Sequence, residues 1–402
     1  MDVVLKNAEI FEIGNKYLMP TYNRLPAVFV KAKMQYLWDA EGNKYLDFIA
    51  GYGCLNVGHS NKYVVNALNK QIGKIIQPSN VYYNKPQVML AKKLSEISGF
   101  GEKVFFANSG TESIEGAIKL ARKYSTDNYG STRYEIITFK KAFHGRTLGA
   151  LAATAQLEKQ KLFEPLLSGF KYAELNNMES VKALLNENTC AIMLEPVQGE
   201  GGVYPADKEF IKDLRNICSK KNILLILDEI QTGFGRTGSM FAYQNYCIYP
   251  DILVVAKSLG GGMPIGAIIS TKKIAESFGP GTHGSTFGGN AAACSAALAV
   301  IDYIISNKLI EKSKKSGQYL MEKLIKIKNK YPVVKQVRGM GLMVGMEFTR
   351  PVAGKMVLDA LSDKLVINKV SDSILRFLPP LIITRKNIDT LIKWLDAKIK
   401  GV

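Results

Sequence analysis

The chain has 402 residues, 47% of them hydrophobic and 22% charged, which is enough for one large and one smaller domain around sizeable cores. Lysine and arginine outnumber aspartate and glutamate by 53 to 35, and the resulting charge of +18 invites a nucleic-acid reading. Two clusters, Lys308, Lys312, Lys314, Lys315 and Lys323, Lys326, Lys328, Lys330, are instead spread along helical stretches without aromatic interleaving, so a solvated basic surface is expected, and no nucleic-acid partner.

In chain order, the first clear buried strand is Val104 to Ala107, followed by a turn at Asn108-Ser109-Gly110-Thr111-Glu112. Ile114, Ala117, Ile118 and Ala121 then fall at helical spacing, predicting a helix over Ser109 to Tyr124. Ser109 as N-cap with Glu112 three residues on makes a capping box, which accounts for both without a ligand. Gly110 beside Thr111 is not required by that box; it exposes N–H groups and a hydroxyl where a phosphate dianion is stabilised. Glu135 to Phe139 and Ala191 to Leu194 read as further strands, and Lys208 to Lys221 as a helix. Ile223 to Leu227 and Ile252 to Val255 are apolar runs of buried-strand length, the first stopping on Asp228 and Glu229, the second on Lys257 before three glycines. Ala291 to Ile305 is a small-apolar run too short to span a bilayer and is expected as a buried or interface helix, so no membrane partner is expected. From about Val300, lysine-rich helical stretches combine with strand-like pieces around Val337 to Phe348 and Leu375 to Leu378. The alternation predicts an α/β fold: a large domain, 62–300, and a smaller α+β domain, 301–402.

Asp228 and Lys257 end two such strands, which brings opposite charges to one edge of a parallel sheet, where open α/β folds place ligands. A lysine there is partly desolvated, which favours the neutral, nucleophilic amine. A pyridine cofactor needs both groups: the lysine for a Schiff base with its aldehyde, the carboxylate to keep its ring nitrogen protonated. Asp228 alone also suits a strand-end cap, and Lys257 alone suits a strand surfacing into a glycine turn.

Six ordered blocks resemble the class III pyridoxal-phosphate aminotransferases: Phe106-Ala107-Asn108-Ser109-Gly110-Thr111-Glu112, Phe143-His144-Gly145-Arg146, Glu195-Pro196-Val197-Gln198-Gly199-Glu200, Asp228-Glu229-Ile230-Gln231, Ala256-Lys257-Ser258 and His283-Gly284-Ser285-Thr286-Phe287-Gly288-Gly289-Asn290. Within that class the chain is most similar to acetylornithine aminotransferases. The resemblance implies the fold-type I transferase arrangement, with a mostly parallel central sheet and the N-terminal segment, 1–61, joining the small domain. It implies pyridoxal 5'-phosphate as cofactor, with Lys257 as Schiff-base lysine and Asp228 on the pyridine nitrogen. Gln231 would meet the ring hydroxyl, Phe143 would stack on the ring, and Gly110 and Thr111 would cradle the phosphate. Thr286 would complete that cradle from the neighbouring subunit, so a homodimer with shared active sites is expected.

The same resemblance assigns Arg146 to the carboxylate far from the reacting carbon and Arg376 to the one beside it, the bidentate match an arginine fork offers. Glu200 would pair with Arg376 while an ω-amino donor is bound, sparing a buried unpaired cation. Ser285 matches a substrate-contacting serine. The implied reaction moves the δ-amino group of N2-acetyl-L-ornithine to 2-oxoglutarate, as in arginine biosynthesis. Tyr52 departs from that pattern, since tyrosine there is usual in ornithine aminotransferases, and Tyr22 also matches those enzymes; ornithine and 4-aminobutyrate remain alternative donors. An aminomutase or racemase on the same machinery is a more distant alternative.

Met1 to Ile13 lacks a signal-peptide pattern, and Cys54, Cys190, Cys218, Cys247 and Cys294 lack CxxC spacing, which suits reduced thiols in a cytoplasmic protein. His59, His144 and His283 are too scattered for a metal site and are expected as hydrogen-bonding scaffold residues.

Overall fold

The computed structural model describes residues 6–401; the first five residues of the 1–61 segment, and Val402, lie outside it. Seven strands form the central sheet: β1 (Lys103–Ala107), β2 (Glu135–Phe139), β3 (Phe170–Ala173), β4 (Thr189–Leu194), β5 (Leu224–Asp228), β6 (Ile252–Val255) and β7 (Gly266–Ser270). Their order is β1-β7-β6-β5-β4-β2-β3. The five strands from β6 to β3 pair in parallel, while β7 runs antiparallel to both β6 and β1. The fold is therefore α/β with a mostly parallel sheet. Strands β4 to β7 are buried at every position, as continuous apolar runs in a sheet covered on both faces require.

The helix after β1 runs over Gly110–Tyr129, five residues beyond its predicted end, and stops at Gly130. Its apolar stripe of Ile114, Ala117, Ile118 and Ala121 is fully buried in one cluster with Ile136, Met193, Ile226, Val254 and Ile268 of the sheet. The predicted capping box is only half present. Ser109 Oγ accepts from Glu112 N at 3.3 Å, but the Glu112 carboxylate accepts at 2.9 Å from the N–H and the side-chain amide of Asn108, one residue earlier. The opposite face of the sheet carries Leu194, Leu225, Leu227, Leu253 and Val255, in one cluster with the helix Ala291–Ser306. That helix is buried along most of its length, which explains its apolar composition, and among the described residues no single helix is long and apolar enough to cross a membrane.

A second sheet joins the two ends of the chain. Phe29–Lys33, Tyr36–Asp39 and Lys44–Asp47 form an antiparallel meander, and Leu365–Val366 adds in parallel to Leu46 and Asp47. A third, antiparallel sheet has the order Val334–Met340, Met343–Phe348, Ile374–Phe377, Asn368–Ser371. Its third strand carries Arg376. Arg236 ties these parts to the central sheet: its fully buried guanidinium donates to the carbonyls of Leu342 and Pro379 and to the side chain of Asn56.

Candidate active site

Asp228 is the last residue of β5 and lies in register with Val254 of β6, so Lys257, two residues past the end of β6, emerges beside it at the same sheet edge. The apolar runs end there because the sheet edge gives way to a buried polar cavity. Lys257 has φ 43°, a left-handed conformation that costs a non-glycine residue on the order of 1–3 kcal/mol and that concentrates at functional sites.

A cavity of about 230 Å³ opens at this edge, lined by Gly110, Thr111, Phe143, His144, Gly145, Arg146, Glu195, Asp228, Ile230, Gln231 and Lys257. Residues from five separate blocks of sequence thus converge on one space. Gly110 and Thr111 form the first turn of a 20-residue helix, whose free N–H groups and dipole favour an anion. Thr111 Oγ1 is tied down by Thr147 Oγ1 at 2.8 Å and by the N–H groups of Arg146 and Thr147. The glycine at 145 is required, since a Cβ there would lie 2.2 Å from Thr111 Oγ1.

Burial lowers the Lys257 pKa below the ordinary lysine value; Glu200 opposes the shift and Arg376 adds to it. Asp228 Oδ2 meets His144 Nδ1 at 2.7 Å, and Oδ1 accepts from Ile230 N at 3.0 Å. His144 is wholly enclosed; burial opposes its imidazolium, but the bond to Asp228 and the nearby charges of Asp228 and Glu195 raise its pKa overall. Its Nε2 has no partner. Glu195, buried behind it, accepts from Phe143 N at 2.9 Å and Gly199 N at 3.1 Å, and burial raises its pKa. The buried His144 and the Ile230 N–H therefore fix the Asp228 carboxylate at the cavity wall, with Glu195 close enough to act on the His144 charge.

Arg376 is fully buried and donates to Glu200 Oε1 at 2.6 Å and to Gln231 Oε1 at 3.3 Å, while its Nη2 has no partner. Burial works against the Glu200 carboxylate, but Arg376 and then Lys257 hold its pKa below the usual value. Tyr52 stands with its ring 5.5 Å from the Arg376 guanidinium, at φ 58°. Arg146 is exposed on the cavity wall, 5.6 Å from the Phe143 ring centre.

Three predicted residues lie elsewhere in the chain. Ser285 Oγ accepts from Asn108 Nδ2 at 3.2 Å and from Gly288 N at 2.9 Å, next to the turn but outside the cavity lining. Thr286 is exposed, with its carbonyl bonded to the Gln77 side chain. Tyr22 is 74% exposed and packs on Arg24. Sequence reasoning left His144, Glu195 and Thr147 without a site role; the signal for the first two was their place in the Phe143 to Arg146 and Glu195 to Glu200 blocks, and for Thr147 its adjacency to Arg146. His59 and His283 are hydrogen-bonded, to Asp47 at 2.7 Å and Lys119 at 2.9 Å.

Residues 17–399 match the family model for aminotransferase class-III. The chain is 51% identical over 387 residues to the acetylornithine aminotransferase of Caldanaerobacter subterraneus subsp. tengcongensis, covering 96% of this chain and 98% of that one. Among solved structures, the ornithine aminotransferase of Toxoplasma gondii ME49 is similar at a TM-score of 0.95 and 29% identity, covering 99% of this chain and 96% of that one. The acetylornithine aminotransferase of Elizabethkingia anophelis is similar at 0.89 and 31%, covering 99% and 100%. A lysine and an aspartate closing neighbouring strands, a phosphate-ready helix end and an arginine held by a glutamate thus occur in a chain that belongs to the class-III aminotransferases.

Proposed function

We propose that this chain transfers the δ-amino group of N2-acetyl-L-ornithine to 2-oxoglutarate, giving N-acetylglutamate 5-semialdehyde and glutamate. The observation that carries the reading is the contrast between its two arginines. Arg376 is closed off by Glu200, whereas the Arg146 side chain has no hydrogen bond or ion pair among the described residues. An ω-amino donor has a carboxylate only at its far end, which Arg146 suits; 2-oxoglutarate has one at each end and needs Arg376 released as well. The similarity to acetylornithine aminotransferases supports N-acetylornithine as that donor. Tyr52 over Arg376 favours free ornithine as a second reading, because its hydroxyl can receive the polar groups that acetylation removes or masks.

The cavity fits pyridoxal 5'-phosphate. The helix end at Gly110 and Thr111 suits its phosphate, the half-buried Phe143 ring offers a flat wall, and the enclosed Asp228 carboxylate suits a protonated ring nitrogen. When bound, that cofactor supplies an electron sink for the carbon bearing the transferred amine. Asp228, oriented by His144, would hold the proton on the ring nitrogen, and Gln231, which lines the same cavity, would meet the ring hydroxyl. Lys257 Nζ, kept toward its neutral form by burial, takes the proton from the substrate's amine-bearing carbon and acts as acid in the following transfer. Glu200 and Arg376 open and close the second carboxylate site as donor and acceptor alternate, and Ser285 and Tyr22 are assigned to substrate at its edge.

We assign two copies to the working enzyme, with Thr286 completing the partner copy's phosphate site, since Thr286 is exposed and does not line this chain's own cavity. Ile75, Ile76, Val81, Tyr82, Tyr83 and Phe287 are exposed around the same segment, with Tyr83 96% and Val81 81% open, which supports an apolar interface there. The domain division at 61/62 and 300/301 is proposed on the same footing, with the cofactor site in the middle segment. Cys190, Cys218 and Cys294 are buried and unpaired, which supports a reducing, cytoplasmic setting. The direct test is product analysis with N-acetylornithine and 2-oxoglutarate: glutamate formation supports a transaminase, and an isomerised donor with no glutamate refutes it.

A further inference from the structure

Two cations approach the ring of Phe143. The Arg146 guanidinium and Lys159 Nζ each lie 5.6 Å from its centre. Lys159 has no ion pair among the described residues; its ammonium donates to the neutral side-chain oxygen of Gln156. Burial first, and the Arg146 charge second, hold Lys159 below the ordinary lysine value, with Glu200 and Glu158 opposing. Of those two acids, Glu200 is committed to Arg376. A lysine with four methylenes can turn its ammonium to solvent, and one that only packed would do so. Lys159 is instead half-buried and shares the Phe143 ring with a like charge, an arrangement that an anion shared between the two would stabilise.

The cavities place that anion. Arg146 and Phe143 line the cavity at the sheet edge, and Lys159 lines a neighbouring one of about 580 Å³ that also reaches Glu200 and Gly201. Lys159 therefore stands where the two cavities meet at Phe143, in contact with the aromatic wall of the first. We propose that Lys159 is a second cation of the distal-carboxylate site, binding with Arg146 the substrate carboxylate farthest from the reacting amine and so selecting ω-amino donors and 2-oxo acids that carry one. This rests on the assignment of Arg146 to that carboxylate.

The test is glutarate binding to the holoenzyme by titration calorimetry, with KM and kcat for N-acetylornithine and 2-oxoglutarate, in wild type, Lys159→Met, Lys159→Arg and Arg146→Met. Lys159→Met is expected to weaken glutarate about tenfold and to raise both KM values by about the same factor, with kcat changed less than about threefold. Lys159→Arg restores most of the affinity, and pentylamine, which has no carboxylate, binds wild type and Lys159→Met alike. Wild-type glutarate affinity in Lys159→Met, with a loss in Arg146→Met, overturns the role of Lys159 and leaves the transaminase reading standing. Equal losses in the Met and Arg variants also overturn it, since a charge-dependent role requires rescue. Unchanged binding in Arg146→Met refutes the assignment on which both rest.

Discussion

Arg376 donates through Nη1 to Glu200 Oε1 at 2.6 Å, from a position with no solvent exposure, while its other terminal nitrogen has no partner. Glu200 retains 29% side-chain exposure, so of the two partners the acid is the one free to move. Leaving the arginine unpaired would cost several kcal/mol, roughly 3–5 by analogy with broken buried pairs, unless a substrate carboxylate replaces the glutamate. On the proposed function the pair acts as a gate whose open state needs a carboxylate beside the reacting carbon.

Glu200→Gln removes the competing charge and leaves Arg376 available to every α-carboxylate. The expected result is a shift of at least about tenfold in the ratio of half-reaction rates, glutamate over N-acetylornithine, in favour of glutamate. Stopped-flow rates with each donor alone measure it, and an unchanged ratio contradicts the gate.

Lys257 should titrate early. Its depressed pKa means that the neutral, reactive amine accumulates at lower pH than for surface lysines, and reactivity rises with pH through that value. Glu200 is the largest group holding the pKa up, so Glu200→Gln should move the midpoint further down and Arg376→Met should move it up. Peptide mapping of Lys257 modification in the apoenzyme across pH reads the midpoint.

Gly145→Ala places a methyl 2.2 Å from Thr111 Oγ1 and 2.7 Å from Thr111 Cβ. Thr111 must move, which costs on the order of 1–3 kcal/mol and displaces the hydroxyl assigned to the phosphate. The variant should fold with a lowered Tm and release pyridoxal phosphate about tenfold more readily on dialysis, followed by absorbance.

Much of this site was legible because its chemistry sits at strand ends. Asp228 and Lys257 were readable because continuous apolar runs stop on them, and Gly110 with Thr111 because a helix period follows at once. Strands β3 and β7 were missed for the opposite reason. β3, Phe170–Ala173, is a four-residue edge strand carrying a lysine, and β7, Gly266–Ser270, starts and ends on small residues just after a glycine-rich turn, so neither shows a long apolar run. The Asp228–His144 pair was beyond sequence reasoning, since its members are 84 positions apart and only the fold brings them together. Lys159 was missed because nothing in Gln156-Leu157-Glu158-Lys159-Gln160 marks one lysine as turned inward.

A shared site predicts complementation. Lys257→Ala and Thr286→Asp should each be inactive as homodimers, the first for want of a base and the second because it sets a carboxylate against the phosphate. Mixed subunits restore one intact site per heterodimer, about a quarter of full activity at random pairing. Activity in neither the mixture nor a tandem fusion contradicts the assignment of Thr286 to the partner's site.

The central claim is the donor. Single-turnover change in cofactor absorbance should be measured with N-acetylornithine, ornithine and 4-aminobutyrate separately, at matched concentrations. The account predicts the largest second-order rate constant with N-acetylornithine and makes Tyr52 a pocket wall; a larger value for ornithine contradicts it and makes Tyr52 the residue that reads the free α-amino group.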